Sequence, residues 1–555
     1  MNSSIQTLAP DRLDWITADP QAPRQIRSRP ADFQPLPAHF ATQHPLRSVE
    51  EVAARHPDRV VVMDGAQTLT YAEILDRVYG LARRIEAETP TGAPMAVLIH
   101  NTVAAPIAFL ACAAAARVVI PIDASHPLER QAALFADARA GGVLLQSGAK
   151  VDDSFLPAKT PRLVFDPAAA TGAARFEVED VADPDRPLGV VYTSGSTGRP
   201  KGLAFSQSGA LRSITQQIQT SAISPSDVIL GLASLSTAGP SDFICALLTG
   251  ARVRLVDLKA LGLAEGLRIL EEEGITMLAF VPTVLRMVMQ MEGIERAFRS
   301  LRLLDLRGEA ALASDIALFR SKLPPTCEIS VCLASTEAMF VYQWFVRDDQ
   351  IEGPVVPVGY LVPGKAVALI DEDGKSVGPG EVGEALVRGV PMAAGAWREG
   401  RVVMGPFIPA GEGAEGRIYP LGDLLRHRPD GLAEFVGRRD RQVKIRGLWA
   451  DLGEVEAALR SAPGVTDAVV ITRQTGAEAV LIAFITIEAA KRAPSPTALR
   501  RRVAAETAEH MAPAKIYVLD ELPRLANYKP DLIRLDALAA TPPRRDRAKG
   551  GGDDV

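Results

Sequence analysis

The chain has 555 residues, 47% of them apolar and 23% charged, and carries a formal net charge of −6 at pH 7. That length exceeds one ordinary core, so at least two domains are expected, and the composition is that of a soluble globular protein. The acidic balance argues against a nucleic-acid or anionic-membrane binder, and the absence of C-x-x-C spacing among Cys112, Cys245, Cys327 and Cys332 excludes a zinc or disulfide framework. These cysteines read as reduced, mostly buried thiols of a cytoplasmic protein.

In chain order, residues 1–44 are Pro-rich with weak periodicity and read as an extension lying on the surface. Their start, "MNSSIQTLAPDRLDW", lacks a basic segment followed by an apolar run, so no secretory signal is expected. In "LTYAEILDRVYGLARRI" the residues Tyr71, Ile74, Leu75, Val78, Leu81 and Ile85 recur at helical spacing, with Thr70 and Glu73 placed for a capping box. A strand at Met95–Ile99 follows. The apolar stretch Val103–Ile122 is long enough to cross a membrane, but Arg117 and two prolines interrupt it and its end is β-branched. It reads as a buried helix feeding a buried strand.

The alternation recurs in "VRLVDL", "EGLRILEEEGITMLAFVP" and "LRLLDLRGEA", which implies largely parallel sheets covered by helices. After about residue 355, Asp-Gly and Pro-Gly turns separate short strands in "AVALIDEDGKSVGPGEVGEALVRG", the texture of a β-rich subdomain. "PDGLAEFVGRRDRQVKIRG" is hairpin-like, and beyond it helices and strands alternate as in a compact α+β domain. The fold class is therefore α/β, a large N-terminal domain of mainly parallel helix-covered sheets plus a β-rich subdomain, followed by a small α+β C-terminal domain. Residues 538–555 read as a disordered tail, and there is no internal repeat.

One loop carries chemistry. In "VVYTSGSTGRPKGLAFS", Val190–Ser206, small hydroxyl residues and glycines follow a buried strand at Leu188–Tyr192, and order is expected to resume near Phe205. Free backbone N–H groups and hydroxyls converge on an anion only where side chains are small. The Walker pattern fails, since Pro200 precedes Lys201 and Gly202 follows it, and the G-x-G-x-x-G fingerprint fails as well. The loop is a phosphate binder of another kind.

"YTSGSTGRPKG" resembles the phosphate loop of the adenylate-forming superfamily, which contains acyl- and aryl-CoA ligases, nonribosomal peptide synthetase adenylation domains and luciferases. Further motifs occur in the family's order from about residue 45 to 537: "VVIPIDASHPLERQAALFADA", "STEA", "GEVGEALVRG", "YPLGDLLR", "GRRDRQVKIRG" and "LPRLANYKPD". The first of these tilts the resemblance toward peptide-synthetase adenylation domains. The resemblance implies a large adenylation domain at 45–437, a hinge at 438–440 around Asp440, and a small domain at 441–537 that rotates between two half-reactions.

It also implies the roles of residues. Thr193, Ser194, Gly195, Ser196, Thr197, Gly198 and Lys201 would cradle the ATP phosphates, Thr336 would contact the α-phosphate, and Glu337 would hold Mg²⁺. Gly308, Glu309, Leu333, Asp423 and Arg438 would receive adenine and ribose, and Lys529 would bridge the substrate carboxylate and the α-phosphate. Lys444 and Gly447 would serve the thiol step. Rough alignment places Thr237, Ala238, Ser241, Ala279, Asp305, Cys332 and Phe340 at the acid pocket. His126 and His427 have no Ser or Cys partner and read as structural or exposed rather than catalytic.

The sequence departs from the family pattern at several points. Leu333 stands where an aromatic usually stacks on adenine, Leu421 where a Thr is usual, and Tyr528 where a Gly is usual. Thr237 occupies the place of the Asp that pairs with an α-ammonium in amino-acid-activating relatives, which disfavours an ordinary α-amino acid because an unpaired buried ammonium is costly. A hydroxy, aryl or fatty-type acid is favoured, with an amine anchored by Asp305 from another side as the alternative. The expected function is ATP- and Mg²⁺-dependent formation of acyl-AMP with transfer to a phosphopantetheine thiol, of a carrier protein in trans or of coenzyme A, the carrier protein being favoured. The alternatives are an amine or oxygen acceptor, or a non-catalytic relative that binds nucleotide or a partner.

Overall fold

The structure is a computed structural model describing residues 10–20, 22, 26–65, 67–124, 126–178, 186–193, 201–233, 235–236, 239–411, 416–445, 448–475, 478–488, 494–525 and 530–540. The chain forms two compact units, one of residues 1–421 and 425–435, the other of 422–424 and 436–555. The division falls within the strands Arg417–His427 and Ala433–Arg438.

Helix–strand alternation in the first unit produces the expected parallel sheets. Among the described residues one sheet has nine strands and another eight. In the first, Val60–Met63, Arg252–Leu255, Val228–Gly231, Met277–Phe280, Leu303–Leu306 and Glu328–Ser335 run parallel side by side. Met339–Phe345 then returns antiparallel against Glu328–Ser335. In the second, Met95–Leu98 lies parallel to Val119–Pro121 and Gly142–Gln146. The helix Tyr71–Glu88 starts at the expected box, in which the Thr70 side chain accepts from the Glu73 N–H and Glu73 Oε2 accepts from the Thr70 N–H at 2.8 Å. Helix Ala104–Ala114 is buried at every residue, which explains its lack of a polar face. No helix among the described residues is long and apolar enough to cross a membrane.

Among the described residues the β-rich part is a six-stranded sheet in which Lys365–Ile370 and Val382–Gly389 pair antiparallel. It also corrects the reading of the N-terminal extension. Ile16–Thr17 adds an antiparallel edge strand against Val367 and Ala366, while Ile26 and Phe40 are buried in the core. An extended segment with isolated apolar anchors can dock without any periodicity that a sequence would display.

The second unit contains the hairpin Gln442–Ile445 with Leu448–Asp451, and a sheet of Val465–Thr475, Glu478–Ile487 and Lys515–Val518. Helices Leu452–Arg460 and Pro496–Glu506 contribute Val455, Leu459, Leu499 and Val503 to its core. The tail boundary at 538 is also corrected. Helix Leu532–Ala540 continues past it because Leu535 and Ala539 are buried against Val469, Ile471 and Phe484. Residues 541–555 lie outside the described residues.

Candidate active site

The phosphate-loop motif joins two neighbouring strands. Pro187–Thr193 and Lys201–Ser206 are antiparallel, with Thr193 paired to Lys201. The second strand begins at Lys201, four residues before Phe205, and the apolar Leu203 and Ala204 lie buried in it. Lys201 is exposed at the mouth of the hairpin. Ser194, Gly195, Ser196, Thr197 and Gly198 lie outside the described residues, as do Thr237, Ala238, Gly447 and Lys529.

Thr336 and Glu337 occupy the tight turn between Glu328–Ser335 and Met339–Phe345, where Ser335 faces Met339. The turn is tied internally and from outside. Ser335 Oγ accepts from the Ala338 N–H at 3.0 Å, and Met339 takes a left-handed φ of 56°. The Glu337 carbonyl accepts from the Ala393 N–H at 2.9 Å. The Ala338 carbonyl accepts from Lys365 Nζ at 2.8 Å, and the same ammonium reaches the Pro391 carbonyl. Lys365 is only 3% exposed, and burial lowers its pKa to about 7. Sequence reasoning missed this lysine, since nothing around it signals a site. The result is a main chain fixed from two directions at Thr336 and Glu337, the residues that carry a hydroxyl and a carboxylate.

Gly308 and Glu309 follow the strand Leu303–Leu306. Gly308 holds a left-handed φ of 85°, and Glu309 Oε2 accepts from Thr283 Oγ1 at 2.5 Å and from the Thr283 N–H at 3.3 Å. Glu309 therefore anchors the start of helix Pro282–Val288. Leu333 is half-buried against a cluster that includes Val341 and Leu421. In the second unit Asp423 Oδ1 accepts from Arg438 Nη1 at 2.8 Å, and Arg438 Nε also donates to the exposed Asp440 at 2.8 Å. Burial pushes Asp423 up to about 6, with the Arg438 charge opposing it. Lys444 pairs with Trp449 across its hairpin. His427 is buried, with Nε2 2.8 Å from the Tyr342 hydroxyl.

Four of the expected pocket residues fall around one polar cluster in the first unit. Ala279, Asp305 and Ser330 are adjacent across parallel strands in register. Ser330 Oγ donates to Asp305 Oδ1 at 2.5 Å, and Arg307 Nε donates to Asp305 Oδ2 at 2.7 Å. The Arg307 guanidinium lies over the Phe340 ring, 5.0 Å from its centroid. Cys332 Sγ is 3.8 Å from the Leu306 carbonyl, and its thiol is pushed up by burial and by Asp305. Ala279, Asp305 and Arg307 also line a cavity of about 20 Å³, walled on the helix side by Gln217, Asp242 and Cys245. Ser241 starts the same helix, Gly239–Thr249, but does not line the cavity. Arg307, Ser330 and Asp242 were not foreseen.

All four cysteines are free and buried, as expected. Among the described residues no three His, Cys, Asp or Glu side chains converge as a metal site. The turn offers one carboxylate, Glu337, and carboxylate oxygen is the kind of donor that Mg²⁺ takes together with phosphate oxygens and water.

The AMP-binding enzyme family matches residues 49–397, and the AMP-binding enzyme C-terminal domain matches residues 454–529. Tyrocidine synthase 3 of Brevibacillus parabrevis is 29% identical over 546 residues, which are 95% of this chain but 8% of that synthase. The chain thus spans only a small part of the peptide synthase that it matches. The L-proline--[L-prolyl-carrier protein] ligase of Streptomyces coelicolor is 29% identical over 534 residues, 91% of this chain and 98% of the ligase. Among solved structures, a four-domain nonribosomal peptide synthetase bound to AMP and glycine superposes with a TM-score of 0.74 at 22% identity, over 94% of this chain and 38% of that one. At that identity the likeness shows the fold.

Proposed function

The chain belongs to the AMP-binding enzyme family, and from that premise we propose that it activates a carboxylic acid other than an ordinary α-amino acid as its acyl-AMP and passes the acyl group to a phosphopantetheine thiol. In the first step a carboxylate oxygen attacks the α-phosphorus of ATP and the bond to pyrophosphate breaks. In the second the thiol sulfur, losing its proton, attacks the acyl carbon and AMP leaves. Bringing a carboxylate to a triphosphate sets like charges against each other, so donors and cations must neutralise the developing charge. The pinned Thr336–Glu337 turn is the observation that carries the reading, because a preorganised hydroxyl donor costs no rearrangement when charge develops. Mg²⁺ on Glu337 would neutralise phosphate charge. Thr193 and Lys201, at the two ends of the loop, suit the β- and γ-phosphates, and Asp423 with Arg438 suits the ribose hydroxyls. Lys529 would bridge carboxylate and α-phosphate. The relatedness to a peptide synthase and to a carrier-protein ligase favours a carrier protein over coenzyme A as thiol donor.

Hydroxylamine trapping of acyl-AMP with ATP, Mg²⁺ and a panel of amino, aryl, hydroxy and fatty acids tests this. One acid class should give hydroxamate and pyrophosphate, with the signal lost in Lys529→Ala and Glu337→Ala. Nucleotide binding with no product across the panel would refute the reading.

A further inference from the structure

The polar cluster of the first unit contains two carboxyls and one guanidinium, and its charges do not balance. Asp305 is fully engaged, bonded to Ser330 Oγ at 2.5 Å and to Arg307 Nε at 2.7 Å. Asp242 stands in the first turn of helix Gly239–Thr249 on the opposite wall of the same cavity and is 8% exposed. No described residue donates a hydrogen bond to its carboxyl; Arg307 acts on it through charge alone, and Asp305 opposes that effect. A carboxyl this deeply buried and without a donor is a group awaiting a partner. Burial pushes it up to about 7, so it is half-protonated near neutrality.

The cavity between them, about 20 Å³, is the size of one water-sized group. An ammonium has that size, donates up to three hydrogen bonds and supplies the missing positive charge. A second anion would instead meet two carboxyls around a guanidinium whose charge Asp305 already offsets.

Distance along the sheet fixes where on the acid this ammonium sits. Asp305 is in register with Ser330, and Thr336 lies six residues further on, just past the end of that strand. At ~3.3 Å per residue that is at most about 20 Å, shortened by the irregularity between Leu333 and Ala334 and by the turn at Thr336. Side chains reaching in from both ends shorten the gap, but an α-amine, next to its own carboxylate, cannot bridge it. We propose that Asp242 is a specificity-determining residue and that the substrate is an ω-amino acid, whose distal ammonium enters the cavity between Asp242 and Asp305 while its carboxylate is activated at the Thr336–Glu337 turn. The inference rests on the adenylating function argued above.

The test is ATP–pyrophosphate exchange on the full chain with 5-aminopentanoate, 6-aminohexanoate and 4-(aminomethyl)benzoate. Each is matched by the acid with methyl in place of ammonium: hexanoate, heptanoate and 4-ethylbenzoate. L-Alanine and adipate complete the set. The amino acids should exceed their methyl isosteres in kcat/KM by at least ~10-fold, and Asp242→Asn should raise their KM by about 30-fold while moving the isosteres less than about threefold. Calorimetric titration of 6-aminohexanoate at pH 7 in two buffers of different ionisation enthalpy gives a second readout. Asp305, Arg307 and Cys245 line the cavity with Asp242, Cys332 stands beside Asp305, and burial pushes Asp242 up to about 7. Binding should release a fraction of a proton, absent in Asp242→Asn. Exchange favouring the isosteres, L-alanine or adipate would overturn the inference and leave the adenylating function standing. Silence with every acid, here and in the broader hydroxamate panel, would remove that function and the inference with it. Should Asp242→Asn fail to fold, the isostere comparison in the unaltered chain decides alone.

Discussion

Lys365 shows what burial does to a single charge. Its ammonium donates to two main-chain carbonyls, those of Ala338 and Pro391, and burial moves its pKa from 10.5 to about 7. The folded chain therefore binds this proton less readily than the unfolded chain. Between about pH 7 and 10.5 the unfolded state holds more protons, so stability rises with pH across that window, by up to about 1.4 kcal/mol per pH unit. Below the window both states are protonated and the cost of the buried charge is constant. Thermal midpoints of the unaltered chain and Lys365→Met, measured at pH 6, 7.5 and 9, should diverge in favour of lysine as pH rises. Parallel profiles would show that Lys365 is neither so buried nor so shifted. Neither Lys365 nor Arg307 announced itself in the sequence. Lys365 opens its strand directly after Gly364, where any lysine would be assigned to solvent, and Arg307 stands just past the end of its strand, where a solvated arginine is the default.

At the scale of elements, the first-turn signals were legible where they are local and illegible where they cross the sheet. Thr70 and Glu73 are three apart, and their reciprocal bonds were visible in the letters alone. Helix Pro282–Val288 is anchored instead by a residue 26 positions away, Glu309, through Thr283. Thr283 Oγ1 also accepts from Arg286 Nη2 at 2.7 Å, and Arg286 Nη1 reaches both oxygens of the buried Asp315 at 3.1 Å. This chain of bonds links the loop after Leu303–Leu306 to two helices, and it positions Gly308 and Glu309 where adenine and ribose are proposed to bind. Thr283→Val keeps the shape and removes the hydroxyl. It should cost about 1–3 kcal/mol, because Glu309 and Arg286 each lose a buried partner. The KM for ATP should rise with the lost stability. A stability loss with an unchanged KM would assign Glu309 to helix anchoring alone.

At the scale of the whole molecule, alternating helix and strand patterns sufficed for parallel sheets in a large unit and an α+β unit after it. Strand order was not legible, since Val60–Met63 joins a sheet whose other parallel strands begin at Val228, a pairing that only long-range packing decides. The two-residue strand Ile16–Thr17 left no period to read. The link between the units is a separate matter. Arg438 bonds the buried Asp423 and the exposed Asp440, and Arg439–Arg441 form a single 3-10 turn just after it. A proposed hinge at 438–440 must let these backbone angles change between half-reactions. Arg439→Pro tests that demand without straining the present conformation. Arg438 already has φ −121° and ψ 137°, the region a residue before proline prefers, and position 439 opens the turn, where proline is tolerated. The substitution should therefore fold normally and resist rearrangement. Pyrophosphate exchange and thioester formation, measured on the same preparation, should separate: one should stay within about threefold while the other falls by at least ~10-fold. A proportional loss in both, or none in either, would mean that the two steps share one backbone arrangement and that the hinge lies elsewhere.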